Sequence, residues 1–333
     1  MIINDFKAFK GKHCESSSIG NLLTNQDLKL SEPMIFGLGE GLSFIYWKMK
    51  SMNLPFLGGR NKQFDLTRNL CRNLELKLDA RETTSTKKAW KNITEFIDDS
   101  IPVSLQLDCY HLEYFTHKIH FAGHFLTVYG YDEEYVYVSD TMLQDLKHKS
   151  KIKNIELARF EKGQMSAKAR SFTIKVPDKR IDLKKAIITA IKNNADAFLN
   201  PPISNLTYRG IKKLGTELPK WRDMAKNPEI DLVLAGDLME GAGTGGALFR
   251  NLYRDFLKEA SEMIPENDYI SQAYSKFCLI APKWTQIAEL IQKAGKTGDS
   301  GCLEKASVLS FELAAMEKQA MEILLEAVKK HKQ

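Results

Sequence analysis

The spacing of apolar residues changes once along this chain, near residue 177, and that change limits what it can fold into. Residues 183–198, 208–224, 247–263, 269–294 and 303–330 carry apolar side chains three and four positions apart, the stripe of an amphipathic helix. Breakers separate them: Pro201-Pro202, the glycines from Gly241 to Gly246, Pro265, and the stretch 296–301. Before residue 177 the period alternates between two and 3.6, so strands and helices mix. The expected organisation is an α+β domain over 1–178 followed by an all-α helical domain over 179–333. In the last helix Ala306, Leu309, Leu313, Met316, Ala320, Ile323 and Ala327 form a strict three-four seam. Such a seam packs either within its own bundle or across a homodimer.

A chain of 333 residues with 43% hydrophobic and 27% charged residues can build cores without covalent staples. Its five cysteines, at 14, 71, 109, 278 and 302, are odd in number and form no CxxC pair, as expected of a reducing cytoplasm. Asp5 arrives before any apolar run and no stretch approaches the length of a bilayer, so neither a secretion signal nor a membrane association is expected. The net charge of +6 permits an acidic partner, but no dense basic run with interleaved aromatics points to nucleic acid.

Within the first domain, Cys14 follows Lys12-His13 and precedes Ile19, Leu22 and Leu23 at helical spacing. The cysteine therefore stands at a helix N-terminus, where unpaired N–H groups and the helix dipole favour a thiolate. A base is available downstream. Residues 123–131 read as one strand of a hairpin and 136–140 as the other. His124 then opens the first strand and Asp140 closes the second, which places them side by side in an antiparallel pair. Asp132 competes as the partner of His124 but belongs to the far end of the hairpin. Cys14, His124 and Asp140 together supply a nucleophile, a base and a group that fixes the imidazole tautomer. The other cysteines lack such settings and read as structural. Elsewhere, 36–42 reads as a Gly-rich turn within 32–50, 43–47 and 54–59 as strands, 87–98 as a helix, and 102–108 and 170–176 as strands.

Other patterns are weaker. His117, His120 and His124 suit neither a helix face nor a strand, and no metal site is expected from them. Gly241, Gly243 and Gly246 satisfy G-x-G-x-x-G but follow a helical stretch instead of a strand, which argues against a dinucleotide site. Arg250, one turn into the next helix, either holds a phosphate or forms a structural ion pair. Glu40 either binds an amine or pairs with a lysine.

The His13-Cys14 start, the segment Ser31-Glu32-Pro33-Met34-Ile35-Phe36-Gly37-Leu38-Gly39-Glu40-Gly41-Leu42, the Gly123-His124-Phe125 and Gly130-Tyr131-Asp132 motifs, and the run from Gly245 to Leu257 resemble the butirosin biosynthesis protein H family. The resemblance covers most of the chain in the same order. It implies a papain-like, C39-like cysteine protease fold followed by a helical domain, and acyl transfer in place of proteolysis. Family members move an acyl or peptidyl group from the phosphopantetheine thioester of a carrier protein to a small amine, forming an amide in nonribosomal peptide or antibiotic biosynthesis. No separate cofactor is implied, since phosphopantetheine arrives on the carrier. The family triad falls on Cys14, His124 and Asp140; candidate substrate contacts are Asn21, Glu40, Arg250 and Tyr253. One departure stands out. The papain and C39 pattern has a Gln several residues before the cysteine as an oxyanion donor, and here Phe6, Lys7, Ala8, Phe9 and Lys10 fill that stretch. The oxyanion then rests on the Cys14 N–H and a second donor, backbone or Asn21. A peptidase or thioesterase, and a binding protein on a decayed scaffold, are the alternatives.

Overall fold

The computed structural model describes residues 1–49 and 52–331. The last residue of the expected segment 32–50 and the last two of the expected 179–333 domain fall outside the described residues. In chain order the first elements are α1 (Cys14–Thr24), α2 (Glu32–Leu38), β1 (Leu42–Trp47), β2 (Phe56–Arg60), α3 (Asp65–Asn73), β3 (Lys77–Arg81) and α4 (Thr86–Asp98). Then come β4 (Val103–Leu107), β5 (His124–Tyr131), β6 (Tyr135–Ser139), β7 (Lys147–Lys151), α5 (Ile152–Phe160) and β8 (Ser171–Lys175). The rest is helical: α6 (Leu183–Leu199), α7 (Thr207–Glu217), α8 (Trp221–Met224), α9 (Pro228–Gly241), α10 (Arg250–Met263), α11 (Asp268–Thr297) and α12 (Gly301–His331).

These elements form two compact units whose division does not follow a single cut in the sequence. One unit comprises Met1–Ile35 and Gln63–Ile181; the other comprises Phe36–Lys62 and the chain from Asp182 onward. Residues 36–62, grouped by sequence with the N-terminal half, thus belong to the second unit.

The first unit is built on a six-stranded antiparallel sheet of order β3-β8-β4-β5-β6-β7. Strand alternation sorts its two faces. Leu105 and Leu107 of β4, Leu126 and Val128 of β5, and Val136 and Val138 of β6 pack with Ile93 and Ile97 of α4 and Ile155 and Ala158 of α5. The alternate residues Ser104 and Thr127 face α1, joined to Ser18 and Asn21 by hydrogen bonds. The buried residues of helix α1 include the small Ser16, Ser17, Ser18 and Gly20; Gly20 makes room for the Phe9 ring of the preceding segment, which a Cβ there would meet at 2.3 Å.

Four elements of this unit are not evident in the sequence: α3, β3, β7 and α5. Strands β3 (Lys-Leu-Asp-Ala-Arg) and β7 (Lys-His-Lys-Ser-Lys) are the two edges of the sheet. Charged edges prevent pairing with another chain, and the same charges hide the strand from an apolar pattern.

The second unit joins the two-stranded antiparallel sheet β1–β2 to α6 through α12. The long helices α11 and α12 bury Phe277, Ile280, Trp284, Ile287 and Ile291 on one side and Ala306, Leu313, Ala320 and Ala327 on the other, so four of the seven seam residues pack inside their own unit. Three expectations are corrected. The helix over 208–224 breaks at Pro219 into α7, a 3₁₀ turn at Leu218–Lys220, and α8. The helix over 247–263 begins only at Arg250, because Ala247, Leu248 and Phe249 take positive φ angles of 51°, 46° and 74°. The Gly-rich turn over 36–42 starts inside α2, which runs to Leu38. Among the described residues no helix is long and apolar enough to cross a membrane.

Candidate active site

The first residue of α1 is Cys14, a free and half-buried cysteine. His13 caps this helix: its Nδ1 accepts from the Ser16 N–H at 3.4 Å, and its carbonyl accepts from the Ser17 N–H at 2.9 Å. The loop before the cysteine is held by the carboxylate of Glu32. That carboxylate accepts from Lys12 N–H at 2.9 and 3.0 Å, from His13 N–H at 2.8 Å and from the Ser16 hydroxyl at 2.8 Å. Behind the cysteine, the buried Glu15 carboxylate accepts from Phe64 N–H, Thr67 N–H and the Thr67 hydroxyl, tying α1 to the start of α3. The Cys14 N–H has no acceptor among the described residues, as the first turn of a helix leaves it.

His124 opens β5 opposite Leu107, and Asp140 follows the last residue of β6. Their side chains meet: His124 Nε2 and Asp140 Oδ2 are 2.8 Å apart, both buried. Nδ1 is then the ring nitrogen left for the sulfur. Burial, the largest influence on His124, works against its protonation. The charge and hydrogen bond of Asp140, together with hydrogen bonding and charge from Cys14, outweigh it and hold the imidazolium well above its ordinary range. The Phe115 ring stands edge-on to the imidazole, centroids 5.3 Å apart.

Asp140 has more partners than the sequence indicates. Its Oδ2 also accepts from the Tyr114 hydroxyl at 2.7 Å, and its Oδ1 accepts from the Thr141 N–H at 2.7 Å. Tyr114 lies in an irregular loop, 26 residues from Asp140, with no periodicity to mark it. Glu32 belongs to the conspicuous Ser31-Glu32-Pro33-Met34 segment, but its hold on the loop is a tertiary contact that leaves no local pattern. Asp132 lies at the far turn, where it accepts from Glu134 N–H, Tyr135 N–H and the Tyr137 hydroxyl.

Three of the four candidate substrate contacts are corrected by burial. Asn21 is fully buried: its Oδ1 accepts from Phe9 N–H at 2.7 Å and Ser139 Oγ at 3.4 Å, and its Nδ2 donates to Thr127 at 3.2 Å. That amide, fully buried, braces α1 on the sheet. Arg250, in the second unit, is fully buried in an ion pair with Glu317, Nε–Oε1 2.8 Å and Nη2–Oε2 2.9 Å. It also donates to the Leu248 carbonyl and stacks over Trp284, which removes it from any phosphate. Tyr253 is buried, and burial pushes its phenol well up. Glu40 keeps partial exposure and accepts from Asn193 Nδ2 at 2.9 Å within the same unit. The Gly-rich turn closes on itself: Thr244 donates to the Met239 carbonyl and Glu240 accepts from Ala247 N–H. Of the three histidines, His117 is exposed, while His120 stacks on Tyr110 and pairs with Asp108 at 3.4 Å.

One side-chain amide lies close to the His124 strand. A Cβ on Gly123 would stand 3.3 Å from Gln63 Nε2, whose acceptor is the Met165 sulfur. Gln63 immediately precedes Phe64, the residue hydrogen-bonded to Glu15, so it is held near both Glu15 and Gly123.

An α+β unit with a cysteine at a helix N-terminus, a buried histidine within its reach and an aspartate behind the histidine has the parts of a cysteine-nucleophile site. Residues 13–141 match the family model of butirosin biosynthesis protein H, N-terminal, and residues 153–324 match a domain of unknown function, DUF4872. The chain belongs to this butirosin biosynthesis protein H family, a membership that suggests a biosynthetic role of the acyltransferase type. No curated protein matches it.

Proposed function

We propose that this protein is a cytoplasmic cysteine acyltransferase that forms an amide in natural-product assembly. An acyl or peptidyl group would leave the phosphopantetheine thioester of a carrier protein, rest on Cys14 as a thioester, and pass to a small amine. The observation that carries the reading is the alignment at one point of the α1 terminus, His124 and Asp140, with Nε2 on Asp140 leaving Nδ1 for the sulfur. A helix bearing the cysteine packed on an antiparallel sheet bearing the base also supports reading the first unit as papain-like.

In loading, Cys14 sulfur attacks the thioester carbonyl while His124 holds the thiol proton, which it returns to the departing pantetheine sulfur. One thioester replaces another, so this step is nearly balanced. In release, the amine attacks, His124 takes its proton and returns it to the Cys14 sulfur, and a stable amide forms. The tetrahedral oxyanions of both steps would be held by the Cys14 N–H and by Gln63, whose sulfur acceptor is weak and easily exchanged for a charged oxygen. Incubation with an acyl-carrier thioester should add the acyl mass to Cys14, and an amine should remove it as the amide. Cys14→Ala should abolish both. Free acid formed at the same rate with no amine present would instead identify a thioesterase, and a wild-type protein that never gains mass would refute the reading.

A further inference from the structure

The two half-reactions of the proposed function make opposite demands on one imidazole. Loading is favoured when His124 holds a proton beside a thiolate. Release needs a neutral imidazole to receive the proton of the amine. Asp140 helps the first and hinders the second, because its charge stabilises the imidazolium.

The geometry shows a counterweight. Asp140 Oδ2, the oxygen on His124 Nε2, is the oxygen that also accepts from the Tyr114 hydroxyl, at 2.7 Å against 2.8 Å. A carboxylate oxygen that receives a second short, charge-assisted hydrogen bond has less charge to offer the first donor. We propose that Tyr114 is a positioning residue of this site, sharing the charge of Asp140 so that His124 can serve both as proton holder in loading and as base in release. The role rests on the acyltransferase reading, but its effect on the histidine exists whatever the substrate.

The surroundings suit a permanent donor. Burial and then the charge of Asp140 push the Tyr114 phenol well above its ordinary range, so it stays protonated across the working range of an enzyme. Its ring stacks on His148 of β7, centroids 4.1 Å apart, which fixes the direction of the hydroxyl. The other titratable groups acting here are Cys14 on α1, Cys109 and Asp108 at the end of β4, and Glu113 in the loop beside Tyr114. None of them hydrogen-bonds Asp140 among the described residues. His148, stacked on the Tyr114 ring, is the imidazole that could mimic the effect.

Tyr114→Phe removes the hydroxyl and keeps the ring on His148. The histidine should then hold its proton more tightly, and its NMR titration should move upward by about half to one pH unit, the part of a charge-assisted hydrogen bond transmitted through a shared oxygen. Aminolysis of preloaded acyl-Cys14 near pH 7 should slow by roughly three- to tenfold, its acid limb moving up by the same amount. Alkylation of Cys14 by iodoacetamide at pH 5–6 should not slow. Equal losses in alkylation and aminolysis would mean a structural role and overturn the proposal, as would an unmoved titration. 3-Fluorotyrosine at position 114, a stronger donor, should shift the titration the opposite way and serves as the test if Tyr114→Phe does not fold. His148→Phe should leave the limb in place; a shift as large as that of Tyr114→Phe would assign it to His148 and overturn the assignment. A wild-type protein that never loads Cys14 would refute the acyltransferase reading alone, since the His124 titration would still report on Tyr114.

Discussion

Replacing Asp140 by Asn changes one atom and should disable the site. Three donors converge on the carboxylate: the Tyr114 hydroxyl and His124 Nε2 on Oδ2, and the Thr141 N–H on Oδ1. An amide has one acceptor oxygen. Pointed at His124 and Tyr114, it turns its NH₂ against the Thr141 N–H; leaving a buried donor unsatisfied costs about 1–3 kcal/mol of stability. Pointed at Thr141, it presents NH₂ to His124 and favours the tautomer with its hydrogen on Nδ1, which cannot accept the Cys14 proton. The charge matters as well. At a separation of about 3 Å and an effective dielectric of about 20, the Asp140–His124 attraction is roughly 5 kcal/mol, partly offset by desolvation. Without it, only Cys14 opposes the effect of burial on the imidazole, and the titration should fall from well above its ordinary value. Loading of Cys14 at pH 7, followed by mass spectrometry, should slow by about 10²–10⁴-fold, the scale seen when a triad carboxylate becomes an amide. A variant whose His124 resonance titrates where that of the wild type does, with loading undiminished, would refute the reasoning.

Further outcomes follow from the same contacts. Glu32→Ala takes the acceptor from Lys12 N–H, His13 N–H and Ser16, so alkylation of Cys14 should slow and stability should fall by about 2 kcal/mol in urea titration, the low end for charged hydrogen bonds because Glu32 is only half buried; unchanged alkylation would separate this loop from the reactivity of the sulfur. Gln63→Ala should slow acylation of Cys14 by roughly 10²-fold yet leave iodoacetamide alkylation alone, because displacement at an sp³ carbon forms no oxyanion; a loss common to both reactions would remove Gln63 from the oxyanion role. Glu317→Leu strands the buried Arg250 and breaks the 2.6 Å hydrogen bond from Trp284 Nε1, a loss of about 3–5 kcal/mol by chemical denaturation that replacing both partners with apolar residues should largely recover. Stability should also depend on pH through His124. Its folded-state value is raised, so the folded chain holds more protons than the unfolded one between the ordinary value near 6.5 and the raised value. The contribution is complete below about pH 6.5 and is lost as pH rises through the raised value, so the stability gap between wild type and Asp140→Asn should narrow in alkali; a gap that widens would contradict the assignment.

What the sequence disclosed follows the range of the interactions. Helix α1, the β5–β6 hairpin and strands β4 and β8 are written in local periodicity, and a hairpin is the one long-range contact that turn length predicts; that is why His124 and Asp140 could be placed together in advance. The polar cage could not. Glu15 reaches Phe64 and Thr67 about fifty positions on, Glu32 reaches back across twenty to Lys12, and Tyr114 crosses 26 to Asp140. Each is a single side chain meeting a backbone or carboxylate group by tertiary packing, which leaves no periodic trace. Asn21 and Arg250 misled for a related reason: a polar residue is assigned to a ligand by its type, yet burial decides whether it is available, and burial of a polar side chain is legible only once its partners are known.

The cage also shows where the reactivity of Cys14 must originate. Carboxylates flank the start of α1 at Glu15 and Glu32, each held by several donors. These anionic acceptors fix the backbone around Cys14 and bring no positive charge to a thiolate. The helix terminus offers a fraction of a unit charge, whereas a protonated His124 offers a whole one. A nucleophile on this scaffold is therefore a property of the histidine and of whatever governs its proton. That places the control of chemistry on Asp140 Oδ2, the atom that His124 and Tyr114 share.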